Sequence, residues 1–173
     1  MSHSGAGAQA SGGAALPKVF EGQGRSELDA ILEKYPNRQA ALLPALWMVQ
    51  RSHGWVSPEG IVETAETLDL TLAYVKGVAT FYTMYRQHPV GRNFVAVCTT
   101  SPCNVCGAEA VVEALLKATG CGRVGETSPD GKWTVVETEC LGACGFATPV
   151  LVNDDFIEGV TAESVPALLE RYR

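Results

Sequence analysis

The sequence has no run of about 18 apolar residues, the length a helix needs to span a bilayer. Positive charge is scarce as well. Its 13 Lys and Arg against 19 Asp and Glu give a formal charge of -6, which repels phosphate backbones and anionic lipid. Neither nucleic-acid binding nor direct membrane insertion is therefore expected. The opening stretch, Met1 to Ala15, lacks the basic start and apolar middle of a secretory signal, so the expected location is the cytoplasm. No phosphate loop, Rossmann fingerprint or hydrolytic triad signature occurs. Histidine is rare: His3 falls in the opening segment, His53 at a helix end where it packs or caps, and His88 before a proline in a turn. Cysteine is missing from everything ahead of Cys98.

What is present suits a folded chain. With 173 residues, 46% apolar and 18% charged, it can bury one or two compact cores. Residues 1-24 are rich in Gly, Ala and Ser and predict a flexible tail, because so little apolar surface cannot offset the entropy of ordering. Helical spacing starts at Ser26 with Leu28, Ile31 and Leu32, and Tyr35-Pro36-Asn37 ends it, offering Asn37 as the next cap. A second helix carries Leu42, Leu43, Leu46, Trp47 and Val49, with Pro44 either in its first turns or kinking it. Ser57-Pro58-Glu59 begins a third, with Ile61, Val62, Ala65 and Leu68 as its buried face. Thr71 caps a fourth, whose apolar positions Val75, Val78, Ala79 and Tyr82 precede the breakers His88-Pro89 and Gly91. Phe81, Tyr82 and Tyr85 belong to a core or an interface.

After Gly91 the period becomes extended. Phe94-Val95-Ala96-Val97 is a short strand ending on Cys98, followed by a helix with Ala110, Val111, Ala114 and Leu115 on one side and Gly120 at its close. Trp133-Thr134-Val135-Val136 and Val150-Leu151-Val152 are further strands, and the turn signal Asn153-Asp154-Asp155 leads into Phe156-Ile157. A terminal helix ends in Leu168-Leu169. The expectation is an α/β fold: a tail over 1-24, a helical domain over 25-90, and a cysteine-bearing α/β domain over 91-173.

Six cysteines in a reducing compartment point to metal binding or redox chemistry rather than structural disulfides. Five lie in two short stretches, Cys98-Thr-Thr-Ser-Pro-Cys103-Asn-Val-Cys106-Gly and Cys140-Leu-Gly-Ala-Cys144, each following a strand. Thiolates that share one small cluster must converge from loops held by a sheet, and Gly107, Gly142 and Gly145 let backbone approach sulfur and donate N-H bonds. Two pairs, Cys98 with Cys103 and Cys140 with Cys144, supply four ligands for one 2Fe-2S cluster. Cys121, alone in Gly120-Cys121-Gly122, reads as a small buried apolar residue.

Cys106 is undecided by spacing, and it opens rival schemes. Cys98, Cys103 and Cys106 reproduce the C-x4-C-x2-C run of plant-type ferredoxins, which would leave Cys140 or Cys144 idle. Cys103-Asn-Val-Cys106 also reads as a thiol-disulfide C-x-x-C at a helix start, which accounts for none of the other cysteines. Structural zinc ranks last, because its ligand pairs are more closely spaced than Cys98 and Cys103.

On Gly77-Val-Ala-Thr-Phe-Tyr82, Val97-Cys98-Thr-Thr-Ser-Pro-Cys103, Glu139-Cys140-Leu-Gly-Ala-Cys144, Pro149-Val150 and Asn153-Asp154, the chain resembles a known family. That family is the small 2Fe-2S subunit of NADH-quinone oxidoreductase, respiratory complex I, and the likeness spans roughly Ser26 to Tyr172. The resemblance implies a helical N-terminal part before a thioredoxin-like domain, and C-x4-C and C-x3-C pairs that bind the cluster. Cys98, Cys103, Cys140 and Cys144 match those positions one by one, whereas Cys106 departs from the usual pattern. The same module occurs in NAD-linked hydrogenases and NAD-dependent formate dehydrogenases. By this resemblance the chain is an electron-transfer subunit of an oxidoreductase, with no catalytic residue beyond its cluster. A larger partner subunit binds FMN and NADH, a further iron-sulfur subunit completes the assembly, and the chain reaches the inner face of the membrane only through the complex.

Overall fold

The structure is a computed structural model and describes residues 16-172. The chain divides between Gln87 and His88 into two compact units. Among the described residues no helix is long and apolar enough to cross a membrane.

The first unit is helical: α1 (Gln23-Leu32), α2 (Leu42-His53), α3 (Pro58-Leu68) and α4 (Leu72-Phe81), with a 3-10 turn at Gln39-Ala41 before α2. Side-chain caps set several starts. The Ala40 N-H donates to Asn37 Oδ1 at 2.8 Å, the Gly60 N-H to Ser57 Oγ at 3.0 Å, and the Tyr74 N-H to Thr71 Oγ1 at 3.3 Å. Pro44 falls in the first turn of α2, where its missing N-H had no intrahelical acceptor, so the helix runs on to His53. His53 is a packing residue, with Nδ1 2.9 Å from Ser57 Oγ and Nε2 2.8 Å from the Pro17 carbonyl.

Leu28, Leu42, Leu46, Val49, Leu68 and Val75 form the buried centre of this unit. The tail reading is corrected at its inner end, while Met1 to Ala15 lie outside the described residues. Val19 and Phe20 are core residues, and the Glu63 carboxylate accepts both their backbone N-H groups at 2.9-3.0 Å. Two large side chains with their backbone donors satisfied are enough to order a segment that is otherwise small and polar. A second difference is Val62, 42% exposed although the helical spacing put it with Ile61 on the buried face.

The second unit holds a four-stranded mixed sheet in the order β2-β1-β3-β4: β1 (Asn93-Cys98), β2 (Trp133-Thr138), β3 (Val150-Val152) and β4 (Asp155-Ile157). The β1-β2 pair is parallel, from Asn93 against Trp133 to Cys98 against Thr138, and β3 pairs antiparallel with both β1 and β4. Between β1 and β2 run a short helix, α5 (Ser101-Val105), and the amphipathic α6 (Ala108-Thr119); α7 (Val165-Glu170) follows the sheet. A parallel pair requires a crossover, and α6 provides one by packing Val111, Val112 and Leu115 into the core with Val95, Val97, Val135 and Val150. Its buried face is turned from the expected one, since Val112 is buried and Ala110 is exposed. Cys121 lies in this core as read from the sequence, its thiol donating to the Trp133 carbonyl at 3.5 Å.

Candidate metal centre

Because β1 and β2 run parallel and in register, both leave the sheet at the same end. Cys98 is the last residue of β1, and Cys140 follows the end of β2 by two positions. The Cys98 N-H donates to the Pro149 carbonyl at 3.2 Å and the Thr99 N-H to that of Thr138 at 3.3 Å, fixing the first loop to both neighbouring segments. Cys103 sits in the first turn of α5, and Cys144 opens a 3-10 turn at Cys144-Phe146.

The first pair is buried: Cys98 and Cys103 are each 1% exposed, and their sulfurs lie 3.3 Å apart, with the Cys103 thiol donating. Ala108, Leu141 and Ala147 pack around them. Burial raises the Cys98 thiol. Hydrogen bonds from the Thr100 hydroxyl, from backbone N-H groups of Thr100 and Leu141, and from Cys103 outweigh it and hold Cys98 at about 7. Cys103 is pushed up to about 11, first by burial and then by Cys98. The pair thus favours one thiolate and one thiol, and a bound metal would displace the remaining proton.

The second pair is exposed. The Gly142 N-H, in a loop where Gly142 takes φ 78°, donates to Cys140 Sγ at 3.4 Å. Cys140 raises the Cys144 thiol, followed by burial, and Cys98 adds to the effect. Leu141 and Cys98 therefore tie the second cysteine loop to the first.

Among the described residues no three Cys, His, Asp or Glu side chains are gathered as a single metal ion would require. The thiols come instead as two pairs, which fits a centre of two irons with two thiolates each. The donor chemistry fits as well: soft sulfur ligands, and backbone N-H groups of Leu141 and Gly142 bonded to sulfur. A buried threonine hydroxyl, Thr148 Oγ1, has no partner.

The structure corrects the placement of Cys106. Its spacing predicts a helix starting there, but Cys106 is the C-cap of α5, its N-H bonded to the Cys103 carbonyl at 3.0 Å, and α6 begins only after Gly107 at φ 97°. Cys106 is exposed and at the negative end of its helix, and Cys103 is raised rather than lowered, so the feature that activates a C-x-x-C dithiol is missing. Sequence reading passed over the Thr100 hydroxyl, the Leu141 N-H and Thr148. The Thr-Thr dipeptide between Cys98 and Cys103 was the signal for the first, and backbone donors leave no signal in side-chain identity.

The model of the family described as thioredoxin-like 2Fe-2S ferredoxin matches residues 28-173. The mitochondrial NADH dehydrogenase (ubiquinone) flavoprotein 2 of Dictyostelium discoideum is 39% identical over 160 residues, 91% of this chain and 64% of that protein. An NADH-quinone oxidoreductase subunit of Rhizobium meliloti is 38% identical over 149 residues, 86% of this chain and 88% of the relative. The chain thus spans under two thirds of one relative and most of the other. In fold it is similar to an NAD+-reducing NiFe-hydrogenase, with a TM-score of 0.64 and 20% identity over 76% of this chain and 22% of that one. With the family match running through both cysteine pairs, the chain belongs to the thioredoxin-like 2Fe-2S ferredoxin family.

Proposed function

We propose that the chain is a one-electron carrier subunit of an NADH-oxidising complex, with Cys98, Cys103, Cys140 and Cys144 as the ligands of one 2Fe-2S cluster. The observation that carries this reading is the convergence of two thiol pairs at one end of the parallel β1-β2 ribbon, with the Cys98 and Cys103 sulfurs already 3.3 Å apart. When bound, the cluster supplies one-electron oxidation and reduction. This chain's residues ligate it, and Leu141, Ala147 and Ala108 shield the inner pair from water. Backbone N-H groups of Leu141 and Gly142 stabilise negative charge on sulfur.

The relatives named as NADH dehydrogenase and NADH-quinone oxidoreductase subunits support respiratory complex I as the parent assembly. In this reading a larger partner subunit holds FMN and NADH, and a further iron-sulfur subunit receives the electron. The helical unit has no ligands of its own but exposes Leu72, Tyr74, Phe81 and Met84, which suits docking to the flavin-bearing partner. The hydrogenase similarity favours a second parent, an NAD-linked hydrogenase, through fold alone. Anaerobic purification from the native host tests both levels: visible absorption with iron and sulfide analysis tests the cluster, and the copurifying subunits identify the complex. A colourless, iron-free protein with dithiol activity would overturn the proposal.

A further inference from the structure

Thr148 is 1% exposed, and among the described residues its Oγ1 is the one buried side-chain polar atom without a hydrogen-bond partner. Burying a hydroxyl costs its hydration, and native structures almost always return a partner for it. Other buried hydroxyls in the same unit follow that rule: Thr119 Oγ1 donates to the Leu115 carbonyl at 2.7 Å, and Thr134 Oγ1 accepts from the Gly91 N-H at 2.8 Å. The backbone of Thr148 is also engaged, its carbonyl accepting from the Val160 N-H at 2.9 Å. Its side-chain hydroxyl is left over.

Its surroundings indicate what completes it. The preceding residue, Ala147, packs against Cys98, Cys103 and Ala108. The following residue, Pro149, accepts the Cys98 N-H at 3.2 Å. Thr148 is thus flanked on both sides by residues in contact with the buried cysteine pair, and a cluster held there would present deprotonated, anionic sulfur, a good acceptor and no donor.

We propose that the Thr148 hydroxyl is a donor to the cluster, hydrogen-bonding an anionic sulfur of the bound 2Fe-2S group and raising the reduction potential. The inference rests on the four-cysteine reading above. A donor at sulfur favours the reduced state, because that state carries the extra negative charge. Thr100 is a separate case, since its hydroxyl already lies 3.3 Å from Cys98 Sγ. Thr148 is an additional donor that the thiols alone do not engage.

The test compares the parent protein with Thr148→Val, which keeps the shape and deletes the hydroxyl, and Thr148→Ser, which keeps the hydroxyl. Each is purified anaerobically with its cluster and titrated against redox mediators while the visible spectrum is followed. At the parent's midpoint potential the reduced-to-oxidised ratio of the valine protein falls about tenfold, equivalent to about 59 mV for a one-electron couple. Iron and sulfide contents stay at the parent level. Serine returns the ratio to within about threefold of the parent. Transfer into D2O shifts the Fe-S stretching bands of the parent's resonance Raman spectrum, and the valine protein loses part of that shift. If the valine protein does not fold, Thr148→Ala replaces it and must show the same fall.

A coloured valine protein with an unchanged potential and an unchanged deuterium shift overturns the proposal. So does an equal displacement by valine and serine, which would mark Thr148 as a packing residue only. A colourless parent would instead fail the four-cysteine reading, and this inference with it.

Discussion

Cys98 and Cys103 bring their sulfurs to 3.3 Å although one ends a strand and the other lies in the first turn of a helix. The contact is made possible by the abrupt passage from β1 to α5 through Thr99 and Thr100, with Pro102 in the first helical turn where its missing N-H costs nothing. Cys106, three residues on, is carried to the far end of α5 and into solvent. Serine at Cys98, Cys103, Cys140 or Cys144 is therefore expected to lose the cluster or change its spectrum, since an alkoxide is a harder ligand than a thiolate. Cys106→Ser and Cys121→Ser are expected to keep iron content near the parent's, since neither belongs to the proposed ligand set. An iron-free Cys106→Ser protein that is folded by circular dichroism would sink this ligand set.

Gly91 controls how closely β2 can approach the start of β1. A Cβ there would lie 2.6 Å from the Trp133 nitrogen, 2.7 Å from its carbonyl carbon and 2.8 Å from that of Lys132, all backbone atoms. Gly91→Ala must push β2 away, and β2 is the strand that leads to Cys140. Overpacking of this kind costs about 1-3 kcal/mol. The expected result is a lower melting temperature and faster bleaching of the visible band on heating. Gly77→Ala is the control: a Cβ there meets nothing within 4 Å, and alanine is favoured over glycine in a helix by about 0.5-1 kcal/mol. Equal melting of the Gly91 variant and the parent would show that the β1-β2 pair can relax around the added methyl.

Periodicity and capping chemistry carried the sequence reading as far as the elements themselves. Ser57 and Thr71 act as the caps their positions implied, and Phe94-Val97 and Trp133-Val136 lie within strands. The short α5 was not legible, because five residues complete barely one turn and show no apolar repeat. That one element moves Cys106 from the start of a helix to the end of another. The grouping of the cysteines into two pairs was legible from identity and spacing, since two short loops, each following a strand, hold them. The electrostatics around them were not, because the Leu141 N-H that helps hold Cys98 at about 7 depends on a loop brought in by tertiary structure. Val19 and Phe20 were overlooked for a related reason: two apolar residues in a small-residue segment give no period, and the Glu63 carboxylate that accepts their backbone N-H groups is distant in sequence.

Tyr85 provides a titration in the helical unit. It is 2% exposed, its hydroxyl donates to the Leu43 carbonyl at 2.8 Å, and its ring meets Trp47 edge-on at a centroid distance of 5.7 Å. Burial, with a smaller contribution from Tyr82, pushes the phenol up to about 12 from an ordinary value of 10.0. The native state therefore holds this proton more tightly than the unfolded chain does. Its contribution to stability is complete below pH 10 and declines as the pH rises from about 10 to 12, as the unfolded phenol ionises first. Urea unfolding of the parent is expected to weaken across that window. Tyr85→Phe should flatten this part of the profile while losing about 1 kcal/mol below pH 10 through the missing hydrogen bond. An alkaline profile that is the same for parent and variant would show that other groups govern it.

Phe81 is 76% exposed at the end of α4, its ring edge-on to Tyr82 at 5.0 Å. Tyr74 is 42% exposed earlier on the same helix, and Gly77 leaves open space between them. The result is a shallow apolar groove lined by Ala73, Tyr74, Gly77, Val78, Phe81 and Tyr82, three of them aromatic. Aromatic side chains seated in such grooves are the residues whose truncation typically weakens a protein interface by about 2 kcal/mol or more, roughly 30-fold in affinity. If the helical unit docks onto the flavin-bearing partner, Phe81→Ser should reduce recovery of that partner in copurification from the native host. Iron content and the visible spectrum should be unchanged, because Phe81 buries too little surface for its loss to unfold the unit. The two readings separate cleanly: undiminished assembly of the Phe81→Ser protein would move the docking surface away from α4, whereas a lost cluster would mean that the helical unit supports the metal centre directly.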